Sequence, residues 1–222
     1  MNKPIIGIVA KHYKGNDTMP DTFIRDEMKQ AIFDNNAIAI GILPPNFEKI
    51  SCTTEYEFNS IEKENIIEQI NLCDGIILQG GLFSDKYETF IAKYCYEKNI
   101  PILGICAGNN NIVRGVNGKV NRNSELPHNS KEKYVHEIEI NPKSLLFKII
   151  QKEKVMVNSR HTSFIEKTSL LISANSPDGI IEAVECSTKT FYMGLQFHPE
   201  SLYKTDENMN SIFKYFINIC KK

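Results

Sequence analysis

Pro101-Ile102-Leu103-Gly104-Ile105-Cys106-Ala107-Gly108 begins as a short apolar run and ends in Gly-x-Cys-x-Gly. The run has the length and composition of a buried strand, and the residues after it have those of a helix. A strand that turns at once into a helix brings the residues flanking the corner close together. Glycine two positions to either side of Cys106 relieves that crowding. The pattern is the thiol counterpart of the Gly-x-Ser-x-Gly nucleophile elbow, which raises one reactive side chain above the carboxyl edge of a sheet. The positive end of the following helix dipole and its first free N–H groups favour a thiolate there.

Outward from this segment, the amino-terminal half repeats the same unit. Pro4 to Val9 reads as a strand, Phe23 to Asn35 as a helix with Ile24, Met28, Ala31 and Ile32 at helical spacing, and Ala37 to Leu43 as a second buried strand closed by Pro44-Pro45. Ile61 to Cys73 fits a helix, Gly75 to Gln79 a strand, Tyr87 to Tyr96 a helix and Ile102 to Ile105 a strand. Strands joined by helix-length crossovers predict a parallel sheet covered on both faces. After the elbow the rhythm changes. Val135 to Ile140, Val155 to Asn158, Gly179 to Glu185 and Phe191 to Gln196 are strand-like runs separated by turns, which predicts antiparallel pairs added to the parallel core. Asn117 to Glu132 reads as one exposed polar loop, and a helix from about Glu207 to Cys220 closes the chain.

The 222 residues suit one domain spanning 1–222, and these elements fill nearly all of it, so no fused second enzyme is expected. Hydrophobic residues at 41%, charged residues at 24% and a mean hydropathy of −0.29 are those of a globular chain rather than a disordered or fibrous one. Lys and Arg number 26 against 27 Asp and Glu, so no long-range field attracts a polyanion and nucleic acid is not an expected partner. No run approaches the roughly 18–20 apolar residues of a membrane span, and the first residues lack the pattern of a secretion signal, which predicts a cytoplasmic protein without a membrane partner. The six cysteines (Cys52, Cys73, Cys95, Cys106, Cys186, Cys220) contain no C-x-x-C pair. Neither a metal site nor a disulfide framework is expected from that spacing, and most of these thiols read as small buried apolar groups.

A nucleophilic thiol needs a base. Of the five histidines, His12, His128 and His136 stand in polar or loop-like settings and read as solvated or locally hydrogen-bonded. His198 stands in Gly194-Leu195-Gln196-Phe197-His198-Pro199-Glu200, directly after an apolar strand. The extended backbone that proline imposes on His198 lets the Glu200 carboxylate turn back to one ring nitrogen and aim the other at the thiol. Cys106, His198 and Glu200 then fill the roles of nucleophile, base and orienting group. The oxyanion of an acyl transfer needs N–H donors. Ala107, opening the elbow helix, supplies one, and Gly80-Gly81, ending the neighbouring strand, supplies another.

Taken together, Asp74-Gly75-Ile76-Ile77-Leu78-Gln79-Gly80-Gly81, the Gly104 to Gly108 elbow, Val157-Asn158-Ser159-Arg160-His161, Asp178 to Glu185 and Gly194 to Glu200 resemble the class I glutamine amidotransferase-like superfamily. Within it they are most similar to the gamma-glutamyl hydrolase branch, peptidase C26. The resemblance implies a flavodoxin-like three-layer α/β/α sandwich and a Cys106, His198, Glu200 triad. It also implies oxyanion donors at Gly80, Gly81 and Ala107, and substrate contacts from Asn110, Asn158, Ser159 and His161. By spacing alone, His161 is a polar-turn histidine.

Three departures bear on substrate. Asn110 stands where the family has a glutamine, Ala107 where the branch often has arginine, and Thr162-Ser163 where it has His-Gln. The expected activity is metal-independent and cofactor-free cleavage of a small gamma-glutamyl amide. Two alternatives are a glutaminase subunit supplying ammonia to a separate synthase, and a non-catalytic sensing protein of the same fold. A homodimer is the expected assembly if the chain associates.

Overall fold

The computed structural model describes residues 3–13, 21–45, 57–81 and 86–221. Cys52 lies outside them. The central sheet has nine strands: β1 (Ile5–Val9), β4 (Ile38–Ile42), β5 (Gly75–Leu78), β6 (Ile102–Ile105), β8 (His136–Ile140), β9 (Lys154–Val157), β11 (Leu171–Asn175), β12 (Ile181–Glu185) and β13 (Tyr192–Leu195), in the order β4-β1-β5-β6-β13-β12-β11-β8-β9. The five strands from β4 to β13 run parallel, and each later neighbour is antiparallel. Two short ribbons complete the strands: β2 (Lys11–Tyr13) with β3 (Asp21–Phe23), and β7 (Lys119–Arg122) with β10 (Ser163–Lys167).

Side-chain alternation along the strands builds two cores. Ile77, Leu103 and Ile105 face one way, against the helices Asp26–Asp34, Leu145–Ile150 and Glu207–Ile219. Ile76, Leu78 and Ile102 face the other way, against Ser60–Asn71, Lys86–Lys98 and Ala107–Gly115. β5 and β6, in the middle of the sheet, are buried along their whole length, which is why their sequences are continuous apolar runs rather than alternating ones. The result is a three-layer α/β/α sandwich.

Local signals set the helix ends. Asn59 Oδ1 accepts from Glu62 N–H and Glu62 Oε2 accepts from Asn59 N–H, both at 2.9 Å, a reciprocal capping box. No described helix is long and apolar enough to cross a membrane.

Three readings of the sequence are corrected. β4 is the sheet's edge, with Ile38 and Leu43 exposed, rather than a buried strand, because it has a strand partner on one side alone. β13 is the hinge of the sheet, parallel to β6 and antiparallel to β12, rather than a member of a purely antiparallel addition. Residues 117–132 are not one exposed loop. They contain β7, and they fold back so that Asn129 bridges Arg160 and His128 is buried. β10, β11 and the helix Leu145–Ile150 have no counterpart in the sequence reading, their patterns being short and broken by polar residues.

Candidate active site

Leu78, Ile105 and Leu195 end three adjacent parallel strands, and Gly80, Cys106 and His198 follow them at the same edge. Cys106 adopts φ 53° and ψ −104°, a left-handed conformation for a residue with a Cβ. Strain of this kind is what a strand-to-helix elbow of the Gly-x-Cys-x-Gly pattern requires. The Cys106 N–H donates to Leu195 O at 2.8 Å, so β13 holds the corner on one side. The two flanking glycines are required by contact. A Cβ on Gly104 would lie 2.6 Å from Gly108 O, and one on Gly108 would run into Leu78 O.

His198 has φ −112° and ψ 83°, and Pro199 starts the 3-10 turn Pro199–Ser201 that carries Glu200 back beneath the ring. His198 Nδ1 lies 2.7 Å from Glu200 Oε1, and both residues are buried. Burial works against a charge on this ring, but the Glu200 carboxylate and then the Cys106 sulfur outweigh it and raise His198 to about 10. The ring also fixes the opposite wall: a Cβ on Gly80 would meet His198 Cε1 at 2.7 Å and Cys106 Cβ at 3.5 Å. Gly80 therefore sits against both members of the pair. Gln79 anchors this turn, donating from Nε2 to Val9 O and accepting from Arg25 N–H at Oε1, both at 2.9 Å.

Cys106 opens into a cleft of about 140 Å³, lined by Gly81, Ala107, Asn110 and His161 among the residues singled out from sequence. Arg122, Asn129, Arg160, Thr162 and Ser163 complete the lining; Thr162 and Ser163 are the departures noted from sequence, and Arg122, Asn129 and Arg160 were missed there. Arg160 lay inside a quoted segment and could have been found there. Arg122 was hidden by the loop assignment of 117–132.

Asn110 Oδ1 is buried, without a partner, at the cleft. Its neighbours turn away from it. Asn109 Nδ2 donates to Gln196 Oε1 at 2.8 Å, and Asn111 Nδ2 donates to Glu88 Oε2 at 2.5 Å. Of the three asparagines, Asn110 alone lines the cleft.

Two predicted substrate contacts are corrected. Asn158 is fully buried, and its amide is occupied by the backbone of His198: Nδ2 donates to His198 O at 2.8 Å and Oδ1 accepts from His198 N–H at 2.7 Å. Ser159 is fully buried too and donates its hydroxyl to His128 O at 2.7 Å. Neither lines the cleft. His128 and His136, read as solvated or locally bonded, instead converge with His161 on the buried Glu182.

The sequence model of the peptidase C26 family matches residues 82–200, just over half of the chain. The chain belongs to the peptidase C26 family. The Escherichia coli gamma-glutamyl-gamma-aminobutyrate hydrolase is 25% identical to this C26 chain over 259 residues, covering 100% of it and 95% of that protein. CTP synthase of Chlamydia muridarum is 25% identical over 234 residues, covering 90% of this chain and 40% of the synthase. The chain thus spans about two fifths of the length of the CTP synthases it matches. Among solved structures, the glutaminase domain of Trypanosoma brucei CTPS with bound acivicin superposes with a TM-score of 0.67 at 18% identity, covering 98% of this chain and 94% of that one. That likeness places the C26 chain in the glutamine amidotransferase-type fold.

Proposed function

We propose that this C26 protein is a cysteine hydrolase that cleaves a gamma-glutamyl amide through a gamma-glutamyl thioester, releasing glutamate and an amine. The observation that carries the reading is Cys106 at φ 53°, beside a His198 ring whose Nδ1 is held 2.7 Å from Glu200. The Cys106 thiolate attacks the gamma-carbonyl carbon. The oxyanion is taken by the N–H of Ala107, where a helix begins and its leading N–H groups lack intrahelical acceptors, and by the Gly80-Gly81 turn. Protonated His198 gives its proton to the departing amine as the C–N bond breaks, leaving the thioester. Neutral His198 then takes a proton from water as the water oxygen attacks, and the thiolate leaves. No step calls on a metal or an organic cofactor.

The cleft supports a glutamyl group in particular. Arg122 and Arg160 face it, each with one hydrogen bond to a neighbouring hydroxyl, Thr162 Oγ1 at 3.0 Å and Ser201 Oγ at 3.1 Å. Their remaining donors suit an alpha-carboxylate. Asn110, with its unpartnered Oδ1, suits the alpha-amine. A panel of gamma-glutamyl amides assayed with wild type and Cys106→Ser tests the proposal. Turnover of at least one amide, lost in the variant, is expected; turnover of none by folded wild type overturns it.

A second reading keeps the chemistry and changes its use. Similarity to CTP synthases favours a glutaminase that hands ammonia to a synthase. Glutamine hydrolysis that stays low until a synthase partner is added would favour that reading, and constitutive hydrolysis of larger amides would exclude it.

A further inference from the structure

Beside the cleft lies a second cluster that the proposed reaction does not use. His128, His161 and Glu182 are buried, and one ligand atom from each lies within 4.8 Å of the others. Glu182 Oε1 is 3.1 Å from His128 Nδ1, 3.5 Å from His161 Nε2 and 3.6 Å from Nε2 of the half-buried His136. A tetrahedral ion with bonds of about 2.0–2.1 Å separates its ligands by about 3.3–3.4 Å. The three observed separations bracket that edge.

The other side of each ring settles which nitrogen can act. His128 Nε2 lies 3.0 Å from Asp178 Oδ2, His161 Nδ1 lies 2.9 Å from Ser163 O, and His136 Nδ1 lies 3.1 Å from Glu137 O. Each outer partner is an acceptor, so each outer nitrogen carries a hydrogen, and a ring with no second proton turns a lone pair inward. An outer carboxylate or carbonyl holding the far N–H is the usual support of a metal-bound histidine. The inward lone pairs face a carboxylate, itself acceptor-only. Accordingly, His128 Nδ1, His136 Nε2, His161 Nε2 and both Glu182 oxygens are buried with no hydrogen-bond partner.

Protons resolve this poorly. None of the three nitrogen–oxygen contacts is aligned as a hydrogen bond. Charging all three rings against the two carboxylates that face them, Glu182 and Asp178, would also leave an excess of positive charge. A divalent cation at the centre would satisfy His128, His161 and Glu182 at once, with His136 Nε2, 3.6 Å from the same Glu182 oxygen, as the fourth donor. We propose that His128, His161 and Glu182, completed by His136, form a closed site for a divalent cation of the zinc class. The expectation of no metal rested on cysteine spacing, which is silent about a histidine and carboxylate set spread over four segments.

With four protein ligands the ion has no open position, so its role is structural. It ties the segment bearing His128 to β8, to β12 and to the cleft wall at His161. The proposal is independent of the substrate proposed above.

The test uses the full chain, stripped with a chelator, loaded with Zn²⁺ or Co²⁺ and desalted. About one ion per chain is expected to remain, with Co²⁺ giving the strong visible absorption of a tetrahedral centre and Zn²⁺ raising the melting temperature reversibly with chelator. Glu182→Gln and His128→Asn, checked for folding by circular dichroism, are expected to retain no ion. If neither variant folds, the cobalt spectrum of wild type decides. Folded wild type that retains no ion, a weak octahedral cobalt spectrum, or full retention by a folded Glu182→Gln each overturns the proposal.

Discussion

Asn158 grips His198 by its backbone on both sides, donating to the carbonyl at 2.8 Å and accepting from the N–H at 2.7 Å. This pair of hydrogen bonds to the main chain sets the height of the imidazole above the sheet edge, while Glu200 sets its rotation. Truncation in Asn158→Ala leaves the His198 N–H buried and unpaired and its carbonyl with the Ser201 N–H alone, at a cost of about 1–3 kcal/mol in stability. Displacing the base should lower kcat by about 10²-fold with a smaller change in KM. Steady-state kinetics beside urea unfolding checks both. A variant that changes KM alone would return Asn158 to the role of substrate ligand.

Glu200 holds the charge on His198 against burial, and the sign of the resulting pH dependence follows. The folded-state pKa of His198 is raised, to about 10 from the usual 6.5, so the charged ring contributes stability fully below about 6.5 and loses it as pH climbs towards 10. In Glu200→Gln the carboxylate is gone and burial remains. The stability gap between wild type and Glu200→Gln should therefore be widest below pH 6.5 and close as pH rises. Unfolding midpoints across that range, with NMR titration of the ring, check the direction.

Gly80 and Gly108 separate chemistry from folding. In Gly80→Ala the new methyl meets the His198 ring, a side chain that must turn aside, so activity should collapse while stability falls less than in Gly108→Ala. In Gly108→Ala it meets the Leu78 carbonyl, which is backbone and cannot step aside, so destabilisation of roughly 1–3 kcal/mol or more is expected. Equal melting temperatures for the two variants would contradict this assignment.

Among the described thiols, selective labelling by a gamma-glutamyl electrophile should fall on Cys106. Burial raises Cys73 to about 11 and Cys220 to about 12, and pushes Cys95 higher still. The thiolate is the reactive form, so these three should label slowly. Peptide mapping after a short exposure checks the order. Labelling of Cys220 as fast as Cys106 would argue for a protein that kept the fold without the activated thiol.

The elbow, the His-Pro-Glu turn and the Gly80-Gly81 turn were legible because each is a short segment whose local geometry follows from its own residue types. β1, β5 and β6 were legible for a similar reason: a strand buried on both faces is apolar at every position. What escaped was non-local. Asn158 looked like a ligand because nothing in Val157 to His161 says that His198 lies beside it. His128 meets Glu182 because residues 117–132 fold back against Ser159 and Arg160, while His136 reaches it from β8, two strands from β12 in the sheet, and polar composition in 117–132 read as solvent exposure. β4 was misplaced because an apolar strand does not declare from sequence whether it has one neighbour or two.

The proposed reaction turns on acylation of Cys106 by a gamma-glutamyl group. Rapid acid quench of the wild-type protein turning over a gamma-glutamyl anilide, followed by intact-protein and peptide mass spectrometry, tests it directly. One glutamyl group is expected on the peptide carrying Cys106, and none in Cys106→Ser. Release of glutamate at the full rate by Cys106→Ser, or a glutamyl group on a different residue, would contradict it.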